Sequence, residues 1–407
     1  MKWIAATTMA LAIAVGGQTA RAQTAEMEFL NGLTPPEVPP YQEAVDAFNA
    51  ANPSVHITQT NSPWNEFWQQ LQVRTASGTM PDVWRFVPGF GASWLYGHQL
   101  LDITDYVKND PDINLDDANQ TMLKYMTLDG KLYGIGYDFN GAVVYYNPAL
   151  FDKAGVPYPE DGWTTADLAN DAKTISEKLS TPDSKIWGFG GLVPDWTWEG
   201  WLHAFGATMI TEDGKYGANN DAGVEALNYF VDLINDKAML VPTDSADEAN
   251  ALFISGRLAM VLGVGHSITT FEDAGIDFGI AKLPVGPVAQ AGVGLGGSYV
   301  IDINTEHPDE AYKFLKYITS GPVMAKVITT GLPARESAMA GLDDNWKTFA
   351  EKLKGNVPFN AVNGSFQVID LQLRTFANVW NGTMTPEAAV ADIASKSDAI
   401  LAEKAVQ

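Results

Sequence analysis

Met27-Glu28-Phe29-Leu30, closing at Asn31-Gly32, is followed by Pro40 to Ala51, Val55-His56-Ile57-Thr58, Trp64 to Leu71 and Asp82-Val83-Trp84-Arg85-Phe86, and this stretch decides the fold. Tyr41, Ala44, Val45, Phe48 and Ala51 recur at helical spacing, as do Trp64, Phe67, Trp68 and Leu71. Asn52-Pro53 stops the first of these helices and Gly78 the second. The pieces around them are short extended runs, of which Val55 to Thr58 alternates as a strand does. Strand, helix, strand, helix, strand predicts an α/β fold whose largely parallel sheet is covered by helices on both faces. Ligands of open sheets collect beyond the carboxyl ends of the strands, which directs attention to Leu30-Asn31-Gly32 and Phe86 to Phe90.

The alternation continues outward. Lys131 to Tyr137 and Ala142 to Tyr146 are extended, with Asn147-Pro148 closing the second. Thr164 and Asp167 have capping-box spacing and open a helix to about Leu179. A strand over Ile186 to Phe189, helices over Glu199 to Phe205 and Val224 to Ile234, and a helix-to-strand passage around Gly256 make a second α/β unit. Phe278 to Leu283 is a strand, and glycine-dense Gly292 to Gly297 precedes the strand Ser298 to Ile303. Helices follow over Pro308 to Ile318, around Pro322 to Ile328, and from Pro386, capped by Thr385, to the C-terminus. There is no tandem repeat and no stretch suited to a flexible linker, so two lobes would be joined by short crossings.

Met1 to Ala22 has Lys2, the apolar run Ile4 to Val15 and Ala20-Arg21-Ala22, the pattern of a cleavable secretory signal. The run is shorter than the ~20 residues that cross a bilayer. The 407 residues suffice for two or three domains with their own cores. They carry 25 Lys+Arg against 49 Asp+Glu, a formal charge of -24 that becomes -26 once Lys2 and Arg21 leave. Such a chain repels phosphate backbones, so no nucleic acid is expected as partner. With no Cys there is no disulfide, thiolate metal site or lipid-bearing N-terminal cysteine. An exported, free protein is the expectation.

The most specific signals are short runs in a fixed order. They are Ala76-Ser77-Gly78-Thr79-Met80-Pro81-Asp82-Val83; Asp129-Gly130-Lys131-Leu132-Tyr133-Gly134-Ile135 followed by Tyr145-Tyr146-Asn147; Phe253 to Met260 with Gly256-Arg257; Gly296-Gly297; Ala311 to Leu315; Gly331-Leu332-Pro333-Ala334-Arg335; and Gly382 to Glu387. Together they resemble the sugar-type extracellular solute-binding proteins of bacterial ABC importers, the maltose-binding-protein-like group, over nearly the whole mature chain. The resemblance implies a two-lobed periplasmic-binding-protein-like fold of class II type, with ligand in the cleft between lobes. Residues 1–22 would be the signal, 23–141 plus 299–338 the first lobe, and 142–298 plus 339–407 the second, with crossings near Tyr146, Gly297 and Arg335. It further implies a periplasmic monomer that delivers a sugar or polyol to ABC permease subunits, with no cofactor and no catalysis.

A sugar offers apolar C–H faces and a ring of hydroxyls, so its site needs aromatic faces beside planar polar groups. By the family's pattern Trp196 falls where an aromatic stacks on the sugar. Trp198 belongs to the same cluster, although its helical spacing with Trp201 also suits a core. Asp138 and Asn140 stand where the family hydrogen-bonds hydroxyls, often with an acid at the place of Asn140; turn chemistry is the plainer reading. His266, after Gly263-Val264-Gly265, takes a place commonly held by Trp, and an imidazole offers a smaller stacking face. Gly296, Gly297 and Ser298 could bring backbone N–H groups close to a ligand. Trp64, Phe86, Asn31 and Arg335 complete the candidates. Arg85 and Arg335 are the only cations near the expected cleft, which disfavours a multiply anionic solute.

Enzyme signatures fare poorly. Gly292 to Gly297 fits GxGxxG, but a strand follows where pyrophosphate needs a helix. Asp110-Pro111-Asp112-Ile113-Asn114 begins like a calcium loop, yet Leu115 and Thr121 hold its glycine and glutamate positions. No HExxH or GxSxG occurs. A secreted glycoside hydrolase or other carbohydrate-active enzyme stays as the alternative, because the separation of a catalytic carboxylate pair is spatial.

Overall fold

A computed structural model describes residues 24–35, 37–191, 195–211, 213–243 and 246–405; the expected signal segment, 1–22, lies outside them. The strand–helix alternation of the N-terminal stretch becomes a five-stranded sheet ordered Val55–Asn61, Ala25–Asn31, Val83–Phe86, Ser298–Ile301, Gly134–Gly136. Its first three strands are parallel and the last two run antiparallel to their neighbours. The helix Val38–Ala51 buries Tyr41, Ala44, Val45 and Phe48 on this sheet, and Phe48 meets Phe314 of the helix Pro308–Ile318 edge-on at 5.1 Å. Spacing of three and four residues puts those side chains on one stripe, which is why the helix lies flat.

A second sheet is ordered Gly279–Ala281, Val143–Tyr146, Leu258–Gly263, Trp187–Gly190. The Thr164–Asp167 capping box forms as expected and starts the covering helix Thr165–Leu179. Tyr145, Phe253, Phe271, Trp346 and Phe349 fill one face.

Between the two sheets lies a small one, ordered Leu332–Pro333, Asp138–Gly141, Val293–Leu295, Val357–Pro358. Three of its members carry the chain across or beside the boundary. Gly134–Gly136 leads through Asp138–Gly141 to Val143–Tyr146, and Val293–Leu295 returns it to Ser298–Ile301. Leu332–Pro333 follows the helix Gly321–Val327, itself packed near Val38–Ala51. Part of the glycine-dense run, Val293–Leu295, is thus a crossing strand. Strands this short, hydrogen-bonded side by side, form the narrow waist of a two-lobed molecule.

The lobes also touch away from the waist. The largest apolar cluster runs from Trp68, Trp84 and Trp94 to Trp198, Trp201, Phe230 and Phe376, and the helix Pro88–Tyr96 packs on the helix Ser365–Trp380.

Candidate ligand site

Arg85 extends from the carboxyl-end side of the first sheet, in the strand Val83–Phe86, and is 7% exposed. Its Nε donates to the Tyr137 hydroxyl, its Nη1 donates to the Gly32 carbonyl at 3.2 Å, and Glu37 Oε1 is 3.8 Å away. Burial opposes the Arg85 charge, and Tyr137 and Glu37 are the first groups that hold it protonated. The guanidinium lies 4.6 Å from the Tyr137 ring and 5.7 Å from that of Trp64. Trp64 itself is 38% exposed, with Phe67, Trp68 and Phe90 around it at 6.4, 5.3 and 5.7 Å. The first lobe therefore presents an indole gripped by neighbours and open to solvent, a stacking surface with little rotamer freedom left to lose.

At the waist, Asp138 is buried and its Oδ1 accepts from the Gly297 N–H at 2.6 Å. Burial pushes its pKa up to about 6, against the pull of Arg85 and of that N–H. Asn140 Oδ1 accepts from the N–H groups of Gly265 at 2.8 Å and Gly141 at 3.1 Å, and its Nδ2 donates to the Thr330 carbonyl at 2.9 Å. The Thr330 hydroxyl donates to Glu37 Oε1 at 3.0 Å. Glu37 Oε2 in turn accepts from the Thr34 N–H and hydroxyl at 2.8 and 2.7 Å. One chain of hydrogen bonds thus runs from the start of the helix Val38–Ala51, through Thr330 and Asn140, to the start of the helix His266–Asp273.

On the second lobe His266 opens that helix and is exposed, yet burial among surrounding protein lowers its pKa, with Glu37 and Asp247 opposing. Asp195 behaves alike: half-exposed, with burial raising its pKa to about 6 although its Oδ1 accepts from the Thr197 N–H at 2.9 Å. Trp196 beside it is half-buried against the main core. The two walls together offer indoles, an imidazole and carboxylates, which can stack on and hydrogen-bond a polyhydroxylated solute.

Residues 34–325 match the family described as bacterial extracellular solute-binding proteins. This chain belongs to that family. A binding protein of Brucella abortus is 24% identical over 89% of this chain and 90% of its own length. An ABC substrate-binding protein of Listeria monocytogenes, solved in complex with cycloalternan, superposes with a TM-score of 0.82 at 23% identity, covering 93% of this chain and 100% of that one. The GacH receptor of Streptomyces glaucescens, solved unliganded and with acarbose, gives 0.81 at 22%, covering 93% and 99%. These likenesses establish the two-lobed α/β fold.

For this solute-binding protein several sequence expectations need correcting. Trp198 is 1% exposed, wedged against Phe230 at 5.7 Å and Phe376 at 5.2 Å, so neither face of its indole is open. Phe86 is fully buried, its ring against Gly91. Arg335 is buried and donates to the carbonyls of Thr319, Asn114 and Ile113, with Asp117 3.6 Å away; it braces the 113–119 segment. Asn140 Oδ1 and one Nδ2 hydrogen are taken by backbone groups. Gly296 and Gly297 are required by close approach: a Cβ would lie 2.2 Å from the Asp138 carbonyl and 2.1 Å from the Tyr137 ring, respectively. Ser298 and Asn31 are fully buried, and neither side chain has a hydrogen-bond partner. Solvent reaches the side chains of Trp64, His266 and Trp196, and Asp138 lies buried at the waist. Asp110 of the calcium-like run pairs with Lys316 at 2.6 Å, and among the described residues no acidic or histidine cluster would hold a metal.

The sequence did not single out Glu37 and Asp195, whereas Phe90 lies in the Phe86 to Phe90 stretch to which it did point. Glu37 had no local signal, since its burial depends on Arg85 and Thr330, far along the chain. Asp195 had one, a carboxylate directly before the aromatic cluster.

Proposed function

We propose that this protein is the substrate-binding component of an ABC importer, holding a carbohydrate or polyol-like solute between its lobes and delivering it chemically unchanged to membrane permease subunits. The carrying observation is that the first lobe bears a solvent-open indole at Trp64 and the second a half-exposed carboxylate and indole at Asp195–Trp196. An aromatic face beside a carboxylate acceptor is the chemistry that C–H faces and hydroxyls require. The relatives solved with cycloalternan and acarbose agree with that class. The lobe division follows the three crossing strands, and export by the 1–22 segment would put a monomer in the periplasm. No helix among the described residues is long and apolar enough to cross a membrane.

In this reading the solute touches both walls and favours the closed arrangement by its greater affinity for it, the only way binding can bias a hinge. Asp138 and Arg85 serve as supports beneath the floor. Incubation with maltose and maltotriose, followed by chromatography of the sugar, tests the absence of chemistry. Intact sugar is expected; turnover that survives repurification would favour a glycoside hydrolase instead.

A further inference from the structure

Two contacts between the lobes flank the open indole of Trp64, reached from it through Phe90 on one side and through Arg85 and Glu37 on the other. On one side the Phe90 and Phe366 rings, one from each lobe, have centroids 5.4 Å apart at a 45° tilt. A sugar ring passing between two aromatic faces needs about 7 Å, twice a van der Waals contact, so this gap admits none. The contact is backed from behind. The Tyr125 hydroxyl donates to the Phe359 carbonyl at 2.7 Å, and a Cβ on Gly89 would lie 3.3 Å from the Phe359 ring. On the other side the Glu37–Thr330–Asn140–Gly265 chain joins the lobes through bonds of 3.0, 2.9 and 2.8 Å. The Arg85 guanidinium and the Phe90 ring each lie 5.7 Å from the Trp64 ring, so no more than about 11 Å separates them.

We infer that this site takes a solute of one or two sugar rings and rejects longer oligosaccharides, with the Phe90–Phe366 contact as the stop that reads length. The inference rests on the carbohydrate reading above and narrows it. Trp64 supplies a single stacking floor, the waist closes one end and the aromatic pair the other. A third ring would have to part Phe90 from Phe366 and expose both.

Isothermal titration of the full mature chain with glucose, maltose, cellobiose, maltotriose and cellotriose tests it. The tightest one- or two-ring sugar is expected to bind at least roughly tenfold better than either trisaccharide. Phe366→Ala should narrow that ratio to about threefold or less, and Phe90→Ala should do the same from the other lobe should the first variant fold poorly. A trisaccharide that binds the unaltered protein as tightly as the best shorter sugar overturns the length inference alone. A ratio that neither variant moves removes the aromatic pair from the role. No binding by any of the five sugars contradicts the carbohydrate reading, and the length inference with it.

Discussion

Trp196 and Trp198 stand two residues apart and play opposite parts. Trp196→Ala removes a stacking face and should weaken sugar binding by about 1–3 kcal/mol, roughly tenfold to hundredfold, with a nearly unchanged melting temperature. Trp198→Ala empties a closed pocket between Phe230 and Phe376 and should cost about 3–5 kcal/mol of stability, read by denaturant titration. The opposite pattern would exchange their roles. Asp195 and Asp138 make a second prediction. Both are harder to ionise in the folded chain, at about 6, than at the ordinary 3.8 of an unfolded one. Their contribution to folding is therefore most favourable at low pH, declines as pH rises from about 4 to about 6, and is level above that. Asp195→Asn should gain melting temperature relative to the unaltered protein across that window and hold the gain to pH 7; parallel curves would contradict the assignment. Trp196 and His266 were marked by the family's pattern, and solvent reaches both. The partners of Arg335 and Asn140 are backbone groups mostly contributed from distant segments, invisible to spacing.

At the scale of elements, local chemistry was legible wherever a cap or a periodic stripe spoke for itself. Thr164 and Asp167 announced their helix, and Thr164→Ala should cost about 1 kcal/mol, measured by thermal unfolding; no change would mean the box adds nothing in this context. Phe48, Val45 and Tyr41 announced theirs. The glycine run before Ser298 reads as a place where backbone N–H groups come close to a ligand; the close approach seen there is of Gly296 and Gly297, just after the crossing strand Val293–Leu295, to Asp138 and Tyr137. The helix Pro88–Tyr96 was missed because it is buried on most sides, so it shows no amphipathic period. The extra antiparallel strands in the first sheet come from residues far along the chain, and the alternation of the N-terminal stretch carried no trace of them.

Across the whole molecule, stability and motion meet at the waist. Asn140 ties a crossing strand to both Gly265 and Thr330 and also accepts from Gly141, so Asn140→Ala leaves three backbone groups without this partner. A cost of about 1–3 kcal/mol for each is expected. Because the Asn140 bond to Gly265 is the one in this chain of hydrogen bonds that passes between the lobes, the loss should also loosen them, seen as a larger radius of gyration in small-angle scattering; an unchanged radius would confine Asn140 to local packing. The net acidic charge of the chain, and an Arg85 already held by Tyr137 and Glu37, fit an uncharged solute. The central claim is that the cleft selects sugars or polyols, and a thermal-shift screen tests it most directly, since a ligand bound only by the native state raises its melting temperature. Presented with sugars, polyols, amino acids and inorganic anions, the protein should be stabilised by at least one sugar or polyol and by neither of the other classes. Stabilisation by an amino acid or an anion, with none by any sugar or polyol, would contradict it.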